Sequence, residues 1–125
     1  MEYRKEIIRN FINAYNQFDI IKMIVDLDAE IIFENMQKGI CNMRLSGIEE
    51  FRKQAELTKT YFLKREQTII SMKHFPAETE VEIAYSAILA IDFPNGLSKG
   101  DKLNLNGQSI FKFRDGKIIH ITDIS

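Results

Sequence analysis

One carboxylate stands apart by its neighbours. Asp123 lies in the closing segment KIIHITDIS, between Ile121 and Ile124. A carboxyl in apolar surroundings is pushed toward its protonated form, which suits a general acid or base working near neutral pH. The same residue also reads as an exposed carboxylate two positions before the last residue of the sequence. Tyr85, in the middle of an alternating segment, is either a pocket hydroxyl or a core tyrosine with one satisfied hydrogen bond. Asn35 is either a polar pocket group or a plain strand-end asparagine. His74 and His120 lack a second ligand at metal-binding spacing, so no metal site is expected. Cys41 is the only cysteine. It excludes a disulfide within the chain, and no base stands near it in sequence to make it a nucleophile.

Other chemistries are missing by motif. The sequence has no P-loop, no G-x-S-x-G, no H-E-x-x-H and no dinucleotide fingerprint. No cofactor is expected. The 17 basic and 18 acidic residues interleave to a net charge of −1, so there is no basic stripe for nucleic acid. There is no apolar run of membrane-spanning length. The polar opening MEYRKEIIRN is unlike a signal peptide, and the expectation is a cytoplasmic protein.

The elements that must position these residues follow from periodicity. With 125 residues, 45% of them hydrophobic, the chain suits one domain, residues 1–125, with a real core. Ile7, Ile8, Phe11, Ile12 and Tyr15 repeat at helical spacing. Asp19 reads as an N-cap for a short second helix holding Ile20, Ile21, Ile24 and Val25. A strand is predicted over Ala29–Met36, then a loop from Gln37 to Leu45. Near that loop Met36, Ile40, Met43 and Leu45 either line a pocket mouth or pack on the next helix. Ser46 and Glu49 have capping-box spacing. The third helix behind them repeats Ile48, Phe51, Ala55, Thr58 and Phe62.

From Glu66 the period becomes two. Strands are predicted at Glu66–Phe75, Thr79–Asp92, Lys102–Arg114 and Lys117–Ile124, with Asp115-Gly116 as a tight hairpin turn. The order α-α-β-α-β-β-β-β gives an α+β fold, a mostly antiparallel sheet with helices on one face. Val81, Ile83, Tyr85, Ala87 and Leu89 share one strand face, and Leu105, Gly107, Ser109, Phe111 and Phe113 share another. The opposite face carries Ile70, Met72, Ala84, Ser86, Ile88, Ile110 and Ile118, which is too apolar for a solvated sheet. A homodimer through that outer face is expected.

The opening helix ending in FDIIKMI, the strand AEIIFEN, the helix start LSGIEEF and the hairpin SIFKFRDGKIIHITD occur in this order over nearly the whole chain. Together they resemble the nuclear transport factor 2-like superfamily, which includes ketosteroid isomerases, SnoaL-like polyketide cyclases and scytalone dehydratases. The resemblance implies a cone-shaped α+β barrel, a curved sheet wrapped on three N-terminal helices around a mostly apolar pocket. It implies little about ketosteroid-type catalysis. The isomerase base position falls on Asn35, its tyrosine on Phe11 and its late aspartate on about Ser109. Glu34, one residue from the base position, points to the other face. An amide cannot take a proton at neutral pH, and a phenyl ring cannot donate a hydrogen bond. Tyr15, one helical turn on, is the replacement donor. Asp123 matches the acid/base aspartate of the SnoaL-like closing strand, and His120 points away from it by alternation.

Two functions of different kind follow, with a third beside them. The first is a binding protein for a small hydrophobic ligand, held by Phe11, Tyr15, Phe33, Tyr85 and Phe111 and oriented by Asn35, Ser109 and Asp123. The second is a cofactor-independent cyclase, isomerase or dehydratase with Asp123 as acid/base. The third is a dimerisation module whose phenylalanines fill the pocket.

Overall fold

The opening amphipathic segment forms α1, Glu2–Asn16, in the computed structural model, which describes residues 2–125. Its apolar stripe of Ile8, Phe11 and Ile12 is buried against the sheet. The helix stops where Phe18 adopts a left-handed conformation at φ 58°. Asp19 then caps α2, Ile20–Ile24, by accepting a hydrogen bond from the Lys22 N–H at 3.1 Å. Asp19→Ala leaves that donor without its partner. It is expected to lower stability by about 0.5–2 kcal/mol in urea unfolding.

The remaining elements are β1 (Leu27–Gln37), β2 (Ile40–Ser46), α3 (Ile48–Thr58), a 3₁₀ turn (Lys59–Tyr61), β3 (Phe62–His74), β4 (Glu78–Leu89), β5 (Lys102–Arg114) and β6 (Lys117–Ile124). The six strands form one sheet in the order β2-β1-β6-β5-β4-β3. The pairing is antiparallel except between β1 and β6, which run parallel. The fold is α+β, but the sheet is open, with β2 and β3 as its edges. The barrel expected from the resemblance is therefore not closed. Register shifts at Asn35/Met36, Ile69/Ser71 and Lys112/Phe113 interrupt the ladders, and such bulges bend strands.

Four local expectations are corrected. Residues Gln37–Leu45 are not a loop. Lys38 and Gly39 both have positive φ, 52° and 79°, and make a two-residue turn joining Gln37 to its partner Ile40. That backbone twist suits a tight hairpin. Ser46 and Glu49 do not form a capping box. Gly47 occupies the N-cap position, and Glu50 accepts the Ser46 N–H at 2.9 Å. The third helix does not reach Phe62. It ends at Thr58, and Phe62 opens β3. Likewise β4 stops at Leu89, short of Asp92.

The sheet's inner face is apolar, with Val81, Ile83, Leu89, Phe111 and Ile121 buried. Ile118 and Met72, expected outside, are inside: Ile118 is fully buried and Met72 packs on the core. The bulges explain this, because a slip of one residue exchanges the two faces of a strand. No helix among the described residues is long and apolar enough to cross a membrane.

Candidate functional site

A cavity of about 350 Å³ lies between α1, α3 and the inner face of the sheet. Its walls include Phe11 and Tyr15 from α1, Phe33 and Asn35 from β1, Ser109 and Phe111 from β5, and Asp123 from β6. Tyr85 does not line it. That residue stands behind Tyr15, with the two hydroxyl oxygens 2.9 Å apart, and borders a smaller cavity of about 120 Å³. Asn35, Gln67, Ser109 and Asp123 border both spaces.

Register explains why the polar groups meet. Asn35 pairs with Asp123 across the parallel β1–β6 ladder, and Asp123 pairs with Ser109 across β6–β5. Three polar residues thus form one row across three strands, pointing into an apolar space. The Ser109 hydroxyl donates to Asp123 Oδ1 at 2.6 Å. Burial pushes the Asp123 carboxyl from its usual range up to about 6, and the Ser109 bond partly opposes that rise. Burial acts this way because removal from water penalises the charged form, while a donor to the carboxylate favours it. A carboxyl titrating near 6 is mostly ionised at pH 7 and readily reprotonated, which is the useful range for moving protons.

The floor beneath Tyr15 is a buried cation. The Arg65 guanidinium sits 3.7 Å from the Tyr15 ring centroid and 4.5 Å from that of Phe18. Its Nε donates to the Tyr15 carbonyl at 2.9 Å. Such stacking holds a guanidinium against an aromatic face. Asn16 ties the end of α1 to β3 by accepting the Gln67 N–H at 2.7 Å and donating to the Gln67 carbonyl at 3.1 Å. Burial raises the Tyr15 hydroxyl well above its ordinary range, and raises Tyr85 as well. Both phenols therefore stay protonated and able to donate.

Several lining residues were not foreseen. Phe51 joins Phe33 and Phe11 in one edge-to-face wall, with ring centroids 5.8 and 6.2 Å apart. Phe62 and Phe93, 6.4 Å apart, stand at another part of the wall beside Tyr61. Gln67 and Arg65 share the inner face of β3, and the strand alternation could have marked them once its start was known. Met43 and Leu45 line the cavity, from β2 and not from a loop, whereas Met36 and Ile40 do not.

The remaining candidates lie elsewhere. His120 hydrogen-bonds Glu34 at 2.6 Å, and Arg44 reaches the same carboxylate at 2.9 Å. The His120 bond, helped by Arg44, holds the Glu34 carboxyl below its usual range. By strand alternation this group occupies the face opposite Asp123. His74 Nδ1 is 2.9 Å from Thr79 Oγ1 near the β3–β4 turn. Cys41 is exposed. Among the described residues no group of three or more metal-ligating side chains is assembled.

No family model matches the sequence, and no curated protein does. Solved structures do. A candidate polyketide cyclase from Xanthomonas campestris superposes with a TM-score of 0.83 at 16% identity, covering 99% of this chain and 90% of that one. A candidate SnoaL-like polyketide cyclase from Jannaschia sp. CCS1 gives 0.82 at 11%, covering 98% and 84%. A nuclear transport factor 2-like protein of unknown function from Burkholderia pseudomallei gives 0.79 at 12%, covering 98% and 90%. The fold is nuclear transport factor 2-like. At these identities the likeness carries the fold and not the reaction. Phe11, Asn35 and Ser109 line the cavity but carry no carboxylate. Among the described residues Asp123 is the one side-chain carboxylate on the cavity wall.

Proposed function

We propose that the protein binds a small hydrophobic carbonyl compound and moves a proton on it without a cofactor, in a cyclisation, isomerisation or dehydration. The observation that carries this reading is the Asp123 carboxyl, facing an apolar cavity with its proton affinity raised by burial. In the proton-transfer step the Asp123 carboxylate takes a proton from the carbon beside the carbonyl. The C–H electron pair becomes the enolate, and the proton now on Asp123 is available to return elsewhere on the substrate. The Tyr15 hydroxyl, accepting from Tyr85, donates to the enolate oxygen. Tyr85 thus acts through Tyr15. The cavity volume lies in the range of small-molecule sites. The structural likeness to candidate polyketide cyclases supports the same class.

The test is solvent deuterium exchange at the α-carbon of 2-tetralone, a ring ketone sized for the cavity, followed by NMR. Catalysed exchange is expected with the native protein. Tyr15→Phe should lower it by about 10²-fold, the usual effect of losing one oxyanion donor. Binding without any exchange favours the second reading, a ligand-binding protein without turnover, which the aromatic walls serve equally well.

We also propose that two copies associate through the outer sheet face, where Ile70 is exposed and Ala84, Ile88 and Ile110 are half-buried. Light scattering at micromolar concentration should give twice the chain's mass; a one-chain mass contradicts it. The single cysteine supports a cytoplasmic setting, also a proposal.

A further inference from the structure

The polar corner of the cavity has an unusual balance of donors and acceptors. Asp123 Oδ1 accepts from Ser109, and among the described residues Oδ2 has no partner. Asn35 uses its side-chain N–H on Asn42 at 2.8 Å, which leaves its own carbonyl oxygen unpartnered. Two neighbouring acceptors, one of them a carboxylate oxygen, are therefore open.

Among the described residues no lysine, arginine or histidine lines either cavity. Apart from Asp123, the ionisable side chains on these walls are tyrosines: Tyr15, Tyr61 and Tyr85. The nearby Arg65 is buried beneath the Tyr15 ring, with its Nε already bonded to the Tyr15 carbonyl. Its Nη2 is buried without a partner, but among the described residues Asp123 has the Ser109 hydroxyl, and no cation, as its side-chain partner.

A carboxylate kept in apolar surroundings without a cation is electrostatically incomplete. Buried charges are normally paired, because removal from water is costly. The walls beside it are suited to the missing partner. Phe33, Phe51, Phe11 and Phe111 form a continuous chain of rings, with successive centroids 5.8, 6.2 and 5.9 Å apart. Aromatic faces attract cations through their quadrupoles.

We propose that the cavity takes an amine-bearing hydrophobic ligand, whose protonated nitrogen donates to Asp123 Oδ2 and Asn35 Oδ1 while its apolar body lies along the phenylalanine wall. Anionic ligands of the same shape are rejected, because their charge would face Asp123 with no cation between them. This inference rests on the reading that the cavity binds a small molecule. It does not depend on proton transfer.

The experiment is calorimetric titration at pH 7.5 with three probes of one shape: 2-(aminomethyl)naphthalene, 2-naphthylmethanol and 2-naphthoate. The protonated amine is expected to bind at least tenfold tighter than the alcohol, and naphthoate weakest. In Asp123→Asn the amine should fall to the level of the alcohol. In the native protein the amine's advantage should also shrink as pH drops below 6, where Asp123 takes up its proton. This second measurement needs no variant. Equal binding of amine and alcohol overturns the inference while leaving the binding reading intact. An amine preference that survives in Asp123→Asn also overturns it. Absence of saturable binding by all three probes overturns both.

Discussion

Asp123→Asn is expected to lower catalysed exchange by about 10²–10⁴-fold, the usual contribution of a positioned acid/base. The variant should still fold and still bind 2-naphthylmethanol. Asparagine keeps the shape of the side chain and an oxygen for the Ser109 hydroxyl, but it cannot accept the substrate's proton. It should also make the protein more stable at pH 7. The folded protein raises the Asp123 carboxyl from 3.8 to about 6. Between those values the folded state binds more protons than the unfolded one, so stability falls as pH rises through this window. The cost is complete above about pH 6. Removing the charge should return roughly 1–3 kcal/mol at pH 7 and nothing below pH 3. A variant that gains stability while losing turnover is the mark of a residue kept for chemistry. If Asp123 served packing alone, the two readouts would fall together. Urea unfolding at pH 7 and pH 3, beside the exchange assay, separates the cases.

Phe111→Ala should give the largest loss of stability. Phe111 is 1% exposed, lies edge-to-face on Phe11 at 5.9 Å, and occupies the middle of β5, paired with Thr79 and Ile121. It belongs to both the core and the cavity wall. Truncation removes its burial and leaves a void that the flanking strands cannot close, at a cost of about 3–5 kcal/mol. The void opens onto the existing cavity, so the same variant should accept bulkier probes than the native protein does. Phe33→Ala, at a half-buried position on β1, should cost less. Denaturant midpoints of the two variants provide the comparison. Equal losses would mean that the wall at Phe33 is as tightly packed as the core.

The parts of this fold that were legible in the sequence are those where a local rule agrees with the tertiary structure. The β5–β6 hairpin was legible from its turn: Asp115-Gly116 takes two positive φ angles, 51° and 78°, as a tight hairpin requires. β2 was not legible. ICNMRLS is an edge strand with an exposed apolar end, and Lys38-Gly39 lacks the asparagine or aspartate that usually marks such a turn. The end of α3 misled for a different reason. Thr58 and Phe62 keep helical spacing, although the chain has already changed to strand at Phe62.

Most of the candidate wall was visible as residue types on strand faces, which is why Phe33, Ser109 and Phe111 could be placed. The row of Asn35, Asp123 and Ser109 was visible only in part, because it depends on the parallel register between β1 and β6, set by contacts distant in sequence. The bulges that carry Met72 and Ile118 inward leave no signal that alternation can read. Phe93 reaches the cavity from the segment after β4 by packing on Tyr61 and Phe62. No spacing rule relates those positions.

The central claim is that a single desolvated carboxyl, Asp123, faces the cavity and changes charge close to neutral pH. The direct measurement is a carbon-detected NMR titration of the side-chain carboxyls from pH 3 to 8, with Asp123 assigned by comparison with Asp123→Asn. The account predicts a midpoint near 6, displaced downward when 2-(aminomethyl)naphthalene is bound, because a bound cation favours the carboxylate. A midpoint at the ordinary aspartate value, about 3.9, would contradict it. Asp123 would then be a solvated carboxylate at the end of a strand, and the cavity would have no acid or base on its wall.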